Sequence, residues 1–173
     1  GVQPFEYSRM KETRFLNIYS QPSPGYTYIG YNLKNPLFQD KRVRQAFTYA
    51  INREEIVQYV LYGLGVVATG PFPNHLWYCN PSVKPFPYDP QKARQLLAEA
   101  GWKERNKDGL LVKDGKPFRF TLITNSGNDI RKAVMAIVQD AWRQIGIDVR
   151  TDLLEWSVFI QERVNKIDFD ALI

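Results

Sequence analysis

The feature that most constrains the fold is a strand pattern, a long amphipathic helix pattern and a second strand pattern in immediate succession. Residues 118–123 alternate apolar and polar side chains, as a strand with one buried face does. A helix is predicted from Asp129 until Gly146, and strand spacing resumes at Ile147. Such a unit forms a crossover that is nearly always right-handed. The apolar face predicted for this helix consists of Ile130, Val134, Ile137, Val138, Ala141 and Ile145.

Three more helices are predicted on the amino-terminal side of this unit. Asp40 is expected to cap the first, and Asn52 the second, which should end at Gly63. Asp89 is expected to cap the third, because Pro90 suits the first helical position. The faces predicted to be buried are Val43, Ala46, Phe47, Ala50 and Ile51; Ile56, Val57, Val60 and Leu61; and Ala93, Leu96, Leu97 and Ala100.

Further strand patterns complete a predicted mixed sheet. Residues 26–31 alternate as a strand leading to Asn32, and residues 169–173 read as the last strand. Residues 110–123 are predicted to form a hairpin around Asp114-Gly115, because this pair favours a two-residue turn. A short helix is predicted over 156–166, and an irregular, proline-rich loop over 66–88. The fold class is therefore predicted to be α/β, with helices flanking a mixed sheet.

Candidate catalytic groups are few. His75 is the only histidine and Cys79 the only cysteine, whereas a zinc site takes three or four protein ligands. Neither has a recognisable partner for a nucleophile and base pair, and the chain has no phosphate-loop motif. We therefore predict that the protein is not an enzyme and uses no metal or cofactor. The carboxylates interpreted as caps and solvated strand edges are Asp148, Asp152, Glu155, Asp168 and Asp170.

The charge pattern does not favour a nucleic-acid partner. The net charge is +5, but the basic residues are scattered along the chain instead of forming one cluster. Arg119 lies between two phenylalanines, and this alternation is better explained by a half-buried sheet than by a base-stacking surface. We predict no nucleic-acid partner. No apolar run approaches the roughly 20 residues that a transmembrane helix requires.

The ends of the sequence are those expected of a segment cut from a longer protein. Residues 1–15 have neither an initiator methionine nor the basic and then apolar pattern of a signal peptide. Residues 168–173 have the pattern of an apolar strand with no turn after it. In a chain that finished there, this strand would be expected to lie at a sheet edge.

Several segments, in this order and spacing, resemble the family 5 extracellular solute-binding proteins over residues 26–173. They are YNLKNPLFQDKRVRQAFTYAINREEIVQYVLYGLG, PFPNHLWYCNP, YDPQKARQLLAEAGW, FTLITNSG, IVQDAWRQIGIDV and LLEWSVFIQERVNKIDFDALI. The resemblance implies a periplasmic-binding-protein-like type II fold of two lobes. Residues 1–35 would then be an arm or connecting strand from the first lobe. Residues 36–173 would be an α/β domain of the second lobe, often called domain III.

The resemblance also implies a function. Members of this family are substrate-binding components of ABC importers and close two lobes over a ligand outside the cytoplasmic membrane. It implies peptides as ligands, the membrane permease subunits as partners, a monomer and a periplasmic or extracytoplasmic location, with a lipid anchor open for the full-length protein. Oligosaccharides, nickel chelates and opines remain alternative ligands, because the acidic residue that holds a peptide's amino terminus in this family would follow Ile173. A regulatory ligand-sensing module fused to a DNA-binding domain is the alternative from another class.

Four candidate ligand-binding residues follow from the matching segments. Trp156 corresponds to a pocket-lining tryptophan, and Arg163, seven residues later, to an arginine near the ligand. Asn125 resembles a pocket asparagine of the peptide-binding branch, and Arg131 lies near another lining position. Three of them have a structural alternative: Trp156 as a core aromatic, Arg163 as a surface residue, and Asn125 as a residue that shapes the turn after its strand.

Overall fold

The computed structural model describes residues 2–173 and divides them into two units of the chain. The larger unit comprises Tyr28–Asn52 and Phe86–Ile173, and it contains all four candidate ligand-binding residues. The smaller unit comprises the described residues up to Thr27 together with Arg53–Pro85.

The helices and strands are as follows. The α-helices are α1 (Pro4–Lys11), α2 (Lys41–Tyr49), the single turn α3 (Arg53–Glu55), α4 (Pro90–Glu99) and α5 (Asp129–Gln144). Pro36–Phe38 is a 3₁₀ helix, and Ile56–Val60 and Val158–Val164 have π-helical hydrogen bonds. The strands are β1 (Gly30–Tyr31), β2 (Glu104–Arg105), β3 (Leu111–Lys113), β4 (Lys116–Pro117), β5 (Arg119–Asn125), β6 (Asp148–Leu154) and β7 (Ala171–Leu172).

A four-stranded mixed sheet with the order β1-β7-β5-β6 forms the centre of the larger unit. Strand β5 runs parallel to both β6 and β7, whereas β1 is antiparallel to β7. The predicted crossover is confirmed as β5-α5-β6. The expectation that the last strand would lie at an edge is wrong, because Ala171 pairs with Tyr31 on one side and Leu122 on the other.

The predicted hairpin is confirmed only in part. Asp114 and Gly115 both have positive φ angles, 51° and 72°, and form the two-residue turn between β3 and β4. The returning strand stops at Pro117, whose nitrogen cannot donate a hydrogen bond, and β5 joins the larger sheet instead. Phe118, Phe120 and Leu122 share one buried face, as predicted.

Aromatic rings fill the space between this sheet face and the helices. The ring of Phe47, on α2, lies 4.6 Å from that of Trp142, on α5, and stacks on that of Phe120 at 5.7 Å. The Trp142 indole nitrogen donates a hydrogen bond to the Phe47 carbonyl over 3.1 Å. On the other face of the sheet, Phe159 packs in a cluster with Ile123.

The cap predictions for Asp40 and Asp89 are confirmed. The Asp40 carboxylate accepts a hydrogen bond from the Arg42 amide at 2.8 Å, and Asp89 caps α4 through the Lys92 amide at 2.9 Å. Gly101, with φ 94°, follows α4 as predicted. The faces predicted for α2 and α4 are buried as well.

Two predicted helical faces differ from the structure. On α5, Ile137 is exposed, and Met135 and Trp142 occupy core positions instead. The predicted helix from Asn52 to Gly63 is one α-helical turn followed by the π-helical segment Ile56–Val60, and none of its stripe is fully buried. In the described part of the smaller unit Pro73 is the one buried residue, so little packing is available to stabilise an amphipathic helix there.

Of the remaining predictions, the irregular loop is confirmed and three segments are shorter than predicted. Residues 66–88 contain no helix or strand, as expected. The strand predicted over 26–31 is reduced to β1, and the one over 169–173 to β7. The helix predicted over 156–166 is present as the π-helical segment Val158–Val164.

Candidate ligand-binding edge of the sheet

The carboxyl ends of the parallel strands β5 and β6 meet at one edge of the sheet. Asn125, the last residue of β5, is opposite Leu154, the last residue of β6. The Ser126 amide donates a hydrogen bond to the Leu154 carbonyl over 2.6 Å and ties the two strand ends together. We call residues 125–131 and 154–156 the carboxyl edge. In open α/β sheets ligands bind at edges of this kind.

Asn125 and Arg131 are in direct contact at the carboxyl edge. The Asn125 side chain, 9% exposed, accepts a hydrogen bond through Oδ1 from Nη1 of Arg131 at 2.7 Å. Asn128 begins α5 as its N-cap by accepting a hydrogen bond from the Arg131 amide at 3.0 Å. Two of the four candidates are therefore brought together by the turn between β5 and α5.

Trp156 follows β6 at the same edge, and 54% of its surface is exposed. One side of the indole lies against Phe159, with 6.1 Å between the ring centroids. The preceding Glu155 accepts a hydrogen bond from the Ser157 amide at 2.7 Å and another from the Ser157 hydroxyl. These bonds lower the pKa of the Glu155 carboxyl, and the bond from the hydroxyl has the largest effect. Trp156 is therefore a supported surface aromatic and not a core residue.

Arg163 lies elsewhere, at the end of the π-helical segment Val158–Val164. Its guanidinium forms an ion pair with Asp168. It lines an open polar depression of about 600 Å³, together with residues that include Thr121 near the start of β5 and Asp152 on β6. The candidates therefore occupy two places: Asn125, Arg131 and Trp156 at the carboxyl edge, and Arg163 in this depression.

Sequence reasoning missed a hydrogen-bonded network that lines the depression. The half-buried Asp170, interpreted from sequence as a solvated edge, accepts hydrogen bonds from the Thr121 amide at 2.9 Å and the Asn35 side chain at 2.8 Å. Asn32 donates to the Phe169 carbonyl at 2.8 Å. These bonds attach the start of β7 to its neighbours. An acidic residue directly before an apolar strand is the signal that could have indicated them.

The two residues considered for catalysis lie in the irregular loop of the smaller unit, where Cys79 is a free thiol and His75 is exposed. Among residues 2–173, no three histidine, cysteine or acidic side chains are grouped so that they could hold a metal ion. Over the same range, every helix is too short or too polar to cross a bilayer. The carboxyl edge offers a guanidinium and an exposed indole, which are groups that bind ligands by hydrogen bonding and stacking.

Comparison with known proteins identifies relatives of this chain. Residues 1–173 match the family model described as bacterial extracellular solute-binding proteins, family 5 middle. The oligopeptide-binding protein AppA of Bacillus subtilis (strain 168) is 45% identical over 177 residues, an alignment that covers 100% of this chain and 32% of AppA.

Solved structures of related proteins share the fold. AppA from Bacillus subtilis in complex with a nonapeptide superposes with a TM-score of 0.90 at 45% identity, over 99% of this chain and 34% of that one. NikA from Brucella suis in complex with Fe(III)-EDTA gives a TM-score of 0.86 at 29% identity, over 99% of this chain and 34% of NikA. These matches confirm the predicted α/β fold class and the resemblance of the sequence. The chain spans about a third of the length of these relatives, and it belongs to the bacterial extracellular solute-binding proteins of family 5, of which it matches the middle region.

Proposed function

We propose that the full-length protein is the substrate-binding component of an ABC importer and that it binds peptides between two lobes. The observation that carries this proposal is the 45% identity, along the whole chain, to an oligopeptide-binding protein. The fold similarity to AppA in complex with a nonapeptide supports the same ligand class. On this proposal the chain supplies one wall of the binding site.

The carboxyl edge supports a peptide ligand on physical grounds. An extended peptide presents main-chain carbonyls, a charged terminus and varied side chains. The Arg131 guanidinium can meet an anionic or carbonyl oxygen, and the exposed face of Trp156 can cover a side chain without requiring one residue type. Arg163 is also proposed to contact the ligand, once its ion pair with Asp168 is rearranged or is shared with the ligand. Binding would favour the closed arrangement of the two lobes, which the permease subunits would recognise.

The remaining assignments extend this proposal. Residues 1–35 would connect from the first lobe, and residues 36–173 would form the second-lobe domain. Family 5 proteins are extracellular solute-binding proteins, so we place the full-length protein outside the cytoplasmic membrane. A monomeric state and the absence of enzymatic activity belong to the same proposal, and a lipid anchor stays open for the full-length protein.

Isothermal titration of the full-length protein with peptides of two to nine residues tests the peptide assignment. We expect saturable binding of several unrelated sequences, because main-chain recognition is tolerant of side chains. A metal chelate is the second candidate, supported by the similarity to NikA, which was solved with Fe(III)-EDTA. Stabilisation in a thermal-shift screen by chelates alone, with no response to any peptide, would overturn the peptide assignment.

A further inference from the structure

The side chain of Asn125 is engaged on both sides within the chain. Its Nδ2 donates a hydrogen bond to the Ser126 carbonyl at 2.9 Å, while its Oδ1 accepts from Nη1 of Arg131 at 2.7 Å. The opposite orientation of the amide would direct two donors at each other, since a guanidinium has no acceptor. The residue is also buried. Asn125 is therefore built to hold Arg131 and presents little of its amide to a ligand.

Arg131 occupies a position that does not favour its charge. It is the third residue of α5, and the amino-terminal turn of a helix carries partial positive charge that favours acidic side chains. Helix stability therefore does not account for an arginine at this position. At this position the helix terminus and the guanidinium can act on the same anionic group of a ligand.

Arg131 differs from the ion-paired arginines of the chain in having a neutral side chain as its partner. Arg42, Arg119 and Arg163 each form an ion pair with a carboxylate. Arg131 takes part in none of the ion pairs found among residues 2–173, and the side chain that holds it is a neutral amide. A neutral acceptor fixes the guanidinium without cancelling its charge, whereas a carboxylate would do both.

We propose that Asn125 is a positioning residue that holds the Arg131 guanidinium at the carboxyl edge and preserves its full charge for an anionic group of the ligand. The inference rests on the proposed peptide-binding function, for which the anionic group is a carboxylate. It assigns to Asn125 an indirect role, in place of the direct contact expected from sequence.

Titration of the full-length protein with a peptide and its carboxyl-terminally amidated counterpart tests this role. The wild type is expected to bind the free carboxylate at least about tenfold more tightly, as hydrogen bonds to charged groups contribute more than neutral ones. Asn125→Asp keeps the acceptor but neutralises Arg131, and should reduce that preference below about threefold. Asn106→Asp is the matched control, since Asn106 is a half-buried acceptor in the β2–β3 turn, away from the carboxyl edge, and it should leave the preference unchanged.

A second pair of variants separates positioning from direct contact. In an Arg131→Gln background, Asn125→Asp should change affinity for the carboxylate peptide less than about twofold, because its effect acts through Arg131. An equal loss in both backgrounds would overturn the inference, as would an Asn125→Asp protein that keeps the full preference. Binding of both peptides by the wild type without preference would overturn this inference alone. Failure of the folded wild type to bind any peptide would overturn the proposed function, and this inference with it.

Discussion

Replacement of Trp142 tests the account of the aromatic core most directly. Trp142 is fully buried, and its indole nitrogen donates to the Phe47 carbonyl at 3.1 Å. That carbonyl belongs to the last turn of α2, where helical carbonyls have no partner within the helix. The other carbonyls of this turn have backbone donors, namely Ala50 for Ala46, Ile51 for Thr48 and Asp89 for Tyr49.

The cost of Trp142→Phe can be worked from these contacts. The phenyl ring keeps most of the apolar contact but cannot donate, so a buried carbonyl loses its hydrogen bond, at about 1 kcal/mol or more. The void left by the smaller ring adds about 1 kcal/mol. We therefore expect a loss of about 2 kcal/mol in the free energy of unfolding. Trp142→Ala should cost about 3–5 kcal/mol, because the cavity is larger.

Urea unfolding of the full-length protein, followed by circular dichroism, measures this loss, and hydrogen exchange of α2 and α5 localises it. Trp77→Phe is the matched control, because Trp77 is 92% exposed and its replacement should change stability by less than about 0.5 kcal/mol. A Trp142→Phe protein as stable as the Trp77→Phe control would refute the reasoning. Unchanged exchange in α2, in spite of a global loss, would refute the proposed role of the hydrogen bond.

Three further predictions follow from individual contacts. Asp170→Ala removes the acceptor for the Thr121 amide and should destabilise the protein by about 1–3 kcal/mol. Asp108→Ala, at an exposed position, is the control and should change stability by less than about 0.5 kcal/mol. Equal unfolding midpoints of the two variants in urea would contradict this prediction. The hydrogen bond to a neighbouring arginine lowers the pKa of Asp40, so its stabilisation is present above the ordinary value of 3.8 and lost as pH falls through the lower folded value. Asp40→Asn should flatten the pH dependence of unfolding in that acidic window, and an unchanged slope would exclude this contribution. Trp156→Ala should weaken peptide binding about tenfold in titration with an unchanged melting temperature, and an effect no larger than that of Trp77→Ala would count against a ligand contact.

Features that depend on neighbouring residues were predictable from the sequence. The Asp40 and Asp89 caps and the Asp114-Gly115 turn are set by contacts within a few residues, so their residue types alone indicate them. The β5-α5-β6 crossover was predictable for the same reason, because the change from strand to helix spacing is local.

Features that depend on distant residues were not predictable from the sequence. A period of 3.6 residues predicts that α5 has an apolar face, but the packing against Phe47 decides that Trp142 is on it and Ile137 is not. Strand spacing likewise predicts β7, but not its place between β1 and β5. That place depends on pairing with distant segments, and β1 lies more than a hundred residues before β7 in the chain. Local pattern carries no information on such partners.

The candidate site also combines features that the sequence indicated with features that only the tertiary structure decided. The resemblance of the sequence to family 5 indicated four candidate residues, namely Asn125, Arg131, Trp156 and Arg163. The match along the whole chain established the family. Only the tertiary structure decided that the first three lie at one sheet edge and that Arg163 pairs with Asp168 in a separate depression. The physical reason is that parallel pairing of β5 and β6 aligns residues about thirty positions apart, and that the turn between β5 and α5 brings Arg131 to the Asn125 amide.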